Sequence, residues 1–205
     1  ADAMDPGDIR QPGRVGFGGL WVPIITPFTA TGDLDEGSLA ALASRVLHDG
    51  ATGLVALGTT GEPATLTAGE RRRVVETCDA ICRELGSGLI VGAGTNSTHG
   101  TIEEIDRLTS GTNATAVLVV VPYYTRPSPE AIVEHFQLVA DASARPVVAY
   151  NVPYRTGRGL TAAHLLALAE HPNIVGVKQA VGALDADTLE LLAAVPPGFA
   201  VLAGD

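Results

Sequence analysis

A lysine inside an apolar run is the residue of this sequence that most directly suggests covalent chemistry. Lys178 follows Ile174-Val175-Gly176-Val177, a pattern typical of a buried strand. Burying an ammonium group costs several kcal/mol unless the group is paired or neutral. Desolvation lowers the pKa of a lysine, and the resulting free amine can attack a ketone to form an imine. A lysine at the exposed end of the strand would instead reach water or pair with an acid, and the run alone leaves both interpretations open.

A turn rich in glycine and hydroxyl groups follows an earlier apolar run. Its sequence is Gly58-Thr59-Thr60-Gly61-Glu62. Glycines allow a tight backbone path, so that hydroxyl and amide groups can converge on a small anion such as the carboxylate of a keto acid. Most turns of this kind only reverse the chain, and Glu62 is interpreted as structural rather than catalytic.

The four tyrosines of the chain fall in two segments, residues 122–127 and 150–157. Phenol groups can relay protons, although a single tyrosine more often packs at the edge of a fold. Their clustering favours a catalytic interpretation. Arg155 adds a planar guanidinium suited to a carboxylate, whereas Arg126 and Arg158 could equally form salt bridges at the rim.

These segments all follow predicted strands. Apolar runs rich in Val and Ile alternate with segments of helix length, which indicates an α/β protein with a parallel sheet. Seven strands are predicted, at 20–26, 53–57, 89–92, 116–121, 146–150, 174–178 and 199–202. No Gly-x-Gly-x-x-Gly turn follows the first strand, so a (β/α)8 TIM barrel is favoured over a doubly wound sheet. Eight units need about 250 residues, so we expect a barrel truncated after the seventh strand.

Two regions are expected along the chain. Residues 1–18 are polar and rich in Gly, Pro and Asp, and are predicted to form a disordered or tag-like tail. Residues 19–205 are predicted to form the incomplete barrel. The capping box Thr67 to Glu70 and the pair Ser128-Pro129 predict the starts of two of its helices.

Composition argues against several classes of function. A net charge of -10 leaves no basic surface for nucleic acid. The longest apolar run, residues 114–122, is much shorter than the roughly 20 residues that cross a bilayer, so no membrane association is expected. Cys78 and Cys82 lie on one apolar helix stripe and are predicted to pack in the core of a cytoplasmic protein. The five histidines lack metal-ligand spacing, so no metal is expected.

Four motifs in order resemble the dihydrodipicolinate synthase family of pyruvate-dependent class I aldolases. They are Gly-Thr-Thr-Gly-Glu at 58–62, Pro-Tyr-Tyr-x-Arg-Pro at 122–127, Tyr-Asn-x-Pro-x-Arg-Thr-Gly at 150–157 and Gly-Val-Lys at 176–178. The resemblance runs from about Gly19 to Asp205. It implies a (β/α)8 barrel that needs no cofactor, because pyruvate itself forms an imine on Lys178.

The resemblance also implies roles for individual residues. Thr59, Tyr124 and Tyr150 would form the proton relay, and Thr59 with Thr60 would hold the pyruvate carboxylate. Arg155 would receive the carboxylate of aspartate semialdehyde, and Gly204 is assigned to the substrate-binding set. Tyr124 would reach into a neighbouring subunit, so a homodimer or homotetramer is expected. Two departures are Gln179, where an acidic residue is common, and Tyr154.

The implied reaction condenses pyruvate with aspartate semialdehyde to 4-hydroxy-tetrahydrodipicolinate, for lysine and diaminopimelate biosynthesis. Two alternatives stay open. One is another pyruvate-dependent aldolase, such as a sialic acid or keto-deoxy sugar acid lyase, which would share Lys178 and Tyr150 but not need Arg155. The other is a non-catalytic, truncated fragment of the fold.

Overall fold

Strands and helices alternate along the chain in the computed structural model, which describes residues 16–204. The strands are β1 (Trp21–Pro23), β2 (Gly53–Ala56), β3 (Gly88–Gly92), β4 (Ala116–Val120), β5 (Val147–Asn151), β6 (Ile174–Gln179) and β7 (Ala200–Ala203). The helices are α1 (Glu36–His48), α2 (Ala68–Glu84), α3 (Thr98–Thr109), α4 (Pro129–Ala142), α5 (Pro153–Thr156), α6 (Ala162–Ala169) and α7 (Ala186–Ala194). All seven predicted strands are confirmed, with ends that shift by a few residues.

The strands form one parallel sheet in the order of the sequence, β1 to β7. Each strand therefore pairs with the next one along the chain, and Tyr150 of β5 lies opposite Lys178 of β6. A doubly wound sheet reverses its strand order at a switch point, whereas a barrel does not. The strand order thus confirms the barrel prediction, with seven strands in residues 16–204.

The sheet is buried on both faces, as expected for parallel strands covered by helices. On β2, Leu54 and Ala56 pack in the large core between the sheet and the helices. Val55, between them, packs in a second core on the inner face of the sheet, together with Ile90 and Leu118. Each of these side chains is less than a tenth exposed, and burying a Val, Leu or Ile among them contributes about 1.5–3 kcal/mol.

Trp21 packs where the inner core meets the amino-terminal ends of the strands. A Cβ atom at Gly53 or Gly88 would lie only 2.5 Å or 2.3 Å from its ring atoms, so both positions must lack a side chain. Phe17 is 6% exposed, and its ring centre lies 5.5 Å from that of Trp21. The predicted tail spans residues 1–18, and residues 1–15 lie outside the described part, but Phe17 belongs to the packed structure.

Helix starts follow the predicted capping. Thr67 accepts a hydrogen bond from the backbone N–H of Glu70, and the Glu70 carboxylate accepts one from the backbone N–H of Thr67, which completes the capping box. Ser128 caps α4 ahead of Pro129. These bonds satisfy amide groups that lack partners within the helix.

Both cysteines pack in the core, as predicted. Cys78 and Cys82 lie on α2 and are 0% and 2% exposed. Burial raises the pKa of each thiol to about 12, so the reactive thiolate form is scarce at neutral pH. Separately, every helix within residues 16–204 is too short or too polar to cross a bilayer.

A histidine is buried between α3 and α4. His135 is 4% exposed, and its Nδ1 lies 2.9 Å from the Thr98 hydroxyl. Its Nε2 has no hydrogen-bond partner among the described residues. Burial lowers the pKa of His135 to about 4, because the charged imidazolium is poorly solvated there.

This burial predicts a pH dependence of stability. The pKa of His135 is about 4 in the folded protein and about 6.5 in the unfolded chain, so the unfolded state binds more protons between these values. Lowering the pH from 7 to 5 should therefore reduce the free energy of unfolding by about 2 kcal/mol through His135. Urea unfolding at both pH values should show that His135→Gln loses less stability than the native protein. The exposed His99→Gln variant should behave like the native protein, and equal losses in all three would contradict this assignment.

Candidate functional site

The carboxyl ends of the strands surround a cavity of about 540 Å³. Loops that follow β2 to β5 line it, as expected for the ligand end of a barrel. Four of the predicted site residues line this cavity: Thr59, Tyr124, Tyr150 and Arg155. The other three, Thr60, Lys178 and Gly204, do not line it. Arg71 and Glu104 also line the cavity and form a 3.1 Å ion pair.

Lys178 lies next to this cavity, on the inner face of the sheet. Its Nζ is 4.5 Å from the ring centre of Tyr150, which lines the cavity and is 6% exposed. Its neighbour Val177 packs in the outer core, and successive strand residues point to opposite faces. The side chain of Lys178 is thus half-buried on the inner face of the sheet.

Gly204 packs against the lysine side chain. A Cβ atom there would lie 2.9 Å from Cε of Lys178 and 2.7 Å from Cβ of Ala180. The Gly204 N–H donates a 2.9 Å hydrogen bond to the carbonyl of Gln179. The absence of a side chain leaves room for the stem of Lys178, while the predicted contact of Gly204 with substrate stays a prediction.

The hydroxyl turn forms one turn of 3-10 helix, Thr59–Gly61. Thr59 and Thr60 are both exposed, but only Thr59 faces the cavity. Leu57 and Glu62, on either side, have φ angles of 56° and 53°, which are unfavourable for residues with side chains. Such strain is typical of functional loops held by their surroundings.

Thr26 anchors this turn and was not identified from the sequence. It is 4% exposed, and its hydroxyl donates a 2.7 Å hydrogen bond to the carbonyl of Gly61. A Cβ atom at Gly61 would lie 3.3 Å from the Ile24 carbonyl, so the turn packs closely on the end of β1. The only sequence signal is a polar residue at the end of an apolar run.

Tyr124 extends away from its own chain. Its side chain is 87% exposed, and its φ angle is 72°. Arg126, two residues later, has a φ angle of 50°. The loop after β4 therefore holds two unfavourable backbone conformations, and it presents an aromatic ring that its own chain hardly covers.

Arg155 lies on the single turn α5, which follows β5. Its guanidinium carbon is 5.2 Å from the ring centre of Tyr154, close enough for a cation–π contact. Arg126 passes over Gly157, where a Cβ atom would lie 2.7 Å from its Nε. Arg158 donates a 3.4 Å hydrogen bond to the carbonyl of Arg126. Rather than the salt bridges considered from the sequence, Arg126 and Arg158 join the two tyrosine-bearing loops.

Two features define the class of this protein. Its sheet has the strand order of an α/β barrel, and its candidate site lies on the loops at the carboxyl ends of the strands beside an inward-facing lysine. Within residues 16–204 no three His, Cys, Asp or Glu side chains are grouped as a metal site would require. The chain belongs to the dihydrodipicolinate synthetase family, which matches residues 16–205.

Individual relatives agree with this assignment. The 4-hydroxy-tetrahydrodipicolinate synthase of Moorella thermoacetica is 40% identical over 191 residues, which cover 92% of this chain and 64% of that relative. A dihydrodipicolinate synthase structure from Bacillus anthracis superimposes with a TM-score of 0.88 at 32% identity, over 93% of this chain and 64% of the other. The Acinetobacter baumannii enzyme, solved with pyruvate, gives 0.86 at 36% identity, over 91% and 63%. The chain thus spans a little under two thirds of these relatives.

The anchoring of the hydroxyl turn predicts a stability difference between two substitutions. Thr26→Val should lose about 1–3 kcal/mol of unfolding free energy, because the buried Gly61 carbonyl loses its donor. Thr26→Ser keeps the hydroxyl and should lose less. Urea unfolding of both variants measures the difference, and a Val variant as stable as the Ser variant would show that the hydroxyl does not hold the turn.

Proposed function

We propose that this protein condenses pyruvate with aspartate semialdehyde through an imine on Lys178, giving 4-hydroxy-tetrahydrodipicolinate. The observation that carries the proposal is the position of the Lys178 amine, 4.5 Å from the ring centre of Tyr150, beside a cavity lined by Thr59, Tyr124 and Arg155. Membership of the family and relatives named as the synthase support it.

Imine formation is the first step. The neutral amine of Lys178 attacks the C2 carbonyl of pyruvate, and the resulting carbinolamine loses water. The ring of Tyr150 lies beside the amine, and its hydroxyl supplies the proton that the leaving water requires. Thr59, which lines the same cavity, and a Tyr124 supplied by a neighbouring subunit complete the proton relay. The chemistry needs no metal or organic cofactor, since the substrate carbonyl itself becomes the electron sink.

Condensation with the second substrate follows. Loss of a proton from the pyruvate methyl group gives an enamine, whose carbon attacks the aldehyde of aspartate semialdehyde. Arg155 binds the carboxylate of that substrate through its planar guanidinium. The amino group of the semialdehyde then attacks C2, closes the ring and releases Lys178 as the free amine. Holding both substrates in one cavity makes the bond-forming step intramolecular.

The proposed assembly is a homodimer or homotetramer in the cytoplasm. Tyr124 is 87% exposed on a loop with unfavourable backbone angles, and a second copy of the chain would cover it. The relay would then combine Thr59 and Tyr150 of one subunit with Tyr124 of another. A monomer would lack one relay group.

Covalent trapping tests the first step. Lys178 is the only lysine among the 205 residues, so its side chain is the only one that can form the imine. Treatment with pyruvate and borohydride should add one reduced pyruvate, mapped to the peptide that holds Lys178. Lys178→Arg should stay unmodified, and Tyr150→Phe should be trapped about a hundredfold more slowly.

The mass of the folded native protein decides between the interpretations. If Lys178 stays unmodified under conditions in which the protein is folded, the result would contradict the proposal and support the non-catalytic fragment. Modification at the N-terminal amine alone would have the same meaning. Peptide mapping therefore accompanies the intact mass.

Replacing Arg155 tests the choice of second substrate. Arg155→Ala should raise the KM for aspartate semialdehyde about tenfold or more and leave the KM for pyruvate nearly unchanged, because only the semialdehyde needs that contact. Arg158→Ala, on the same loop, is the matched control and should change neither value as strongly. Equal effects on both substrates, or faster turnover of a sialic acid or a keto-deoxy sugar acid, would favour another aldolase of the superfamily.

A further inference from the structure

A buried amide lies at the carboxyl end of β5, directly after Tyr150. Asn151 is 1% exposed. Its Oδ1 accepts a 3.1 Å hydrogen bond from the backbone N–H of Leu160. Its Nδ2 donates to the carbonyl of Leu160 at 3.3 Å and to Oε1 of Gln179 at 2.9 Å. Both hydrogens of this amide and its oxygen are therefore used.

Gln179 continues the chain of bonds into α7. It is 6% exposed and follows Lys178 on β6, so its side chain points away from the inner face. Its Nε2 donates a 3.0 Å hydrogen bond to the hydroxyl of Thr188, which is also buried. Together, Asn151 and Gln179 join β5, β6, α7 and the loop that ends at Leu160.

That loop carries Arg155. It leaves the sheet at Val152 and returns to the core at Leu160, which is 4% exposed. Within the loop, the Thr156 hydroxyl contacts the carbonyls of Val152 and Arg158. At Leu160 the N–H and the carbonyl both bond to the Asn151 side chain, which thus takes the place of a strand partner. The position of the loop relative to β5 and β6 is set by this amide.

We propose that Asn151 is a specificity-determining positioning residue, which places Arg155 for the carboxylate of the second substrate without contacting either substrate. This rests on the proposed function of Arg155. The role requires an amide, because this side chain donates two hydrogen bonds and accepts one. An aspartate of the same shape would set a carboxylate against the Leu160 carbonyl and the Gln179 oxygen, so the loop would move. Small displacements of substrate-binding groups have large kinetic effects.

Kinetics separate this role from a general structural one. Asn151→Asp should raise the KM for aspartate semialdehyde about tenfold, while the rate of pyruvate trapping on Lys178 changes less than about threefold. Because Asn151 acts through Arg155, the double variant with Arg155→Ala should be no worse than Arg155→Ala alone. Additive effects, or equal losses for both substrates, would overturn the proposal.

Proteolysis gives a readout that does not depend on catalysis. Arg155 and Arg158 are exposed trypsin sites within the loop, and release of Leu160 should speed cleavage there about tenfold in Asn151→Asp. The control is Val139→Ala, a fully buried α4 residue whose substitution destabilises the protein away from the site. Equal cleavage in both variants would overturn the proposed positioning role of Asn151. If Asn151→Asp is cleaved faster but the native protein traps no pyruvate, the result would contradict the proposed function while supporting the role of Asn151 in holding the loop.

Discussion

The contact between Lys178 and Tyr150 is the feature on which the rest of the site depends. The two residues face each other on neighbouring parallel strands, so their distance is set by the register of β5 and β6 and not by a loop. A shift of one residue would turn Lys178 from the inner face toward the helices, because side chains alternate along a strand. The hydrogen bonds of a central strand pair make such a shift costly. The amine of Lys178 is thereby positioned by a pair of hydrogen-bonded strands.

The two ends of the strands differ in what their residues do. At the amino-terminal ends, Trp21 fills the space left by Gly53 and Gly88, so these residues serve packing. At the carboxyl-terminal ends, all four non-glycine residues of the described part with positive φ angles flank the site: Leu57, Glu62, Tyr124 and Arg126. Their strain is offset by bonds such as that from Thr26 to Gly61. This division is the one expected of a barrel, where stability and ligand binding occupy opposite ends.

Much of this arrangement could be predicted from the sequence, because apolar runs mark buried strands and βα alternation fixes their order. The side chain direction of Lys178 could not, since a strand buried on both faces shows no alternation of polarity. Thr59 and Thr60 are equivalent in the sequence, and only the 3-10 turn separates the one that lines the cavity from the one that does not. The partners of Arg126 and Arg158 were likewise open, because they are backbone and loop contacts between distant segments.

Charge and polarity near the site follow from the same geometry. The chain carries a net charge of -10, which disfavours the approach of anions, yet Arg126, Arg155 and Arg158 lie on the two loops that follow β4 and β5. Within residues 16–204 these three have no carboxylate partner at ion-pair distance, unlike Arg71, and Arg155 is the one of the three that lines the cavity. Behind them, the neutral amide of Asn151 satisfies the N–H and the carbonyl of Leu160, and Gln179 accepts a hydrogen bond from Asn151. The Arg155 loop thus returns to the core on a neutral amide, without a buried charge at Asn151 or Gln179.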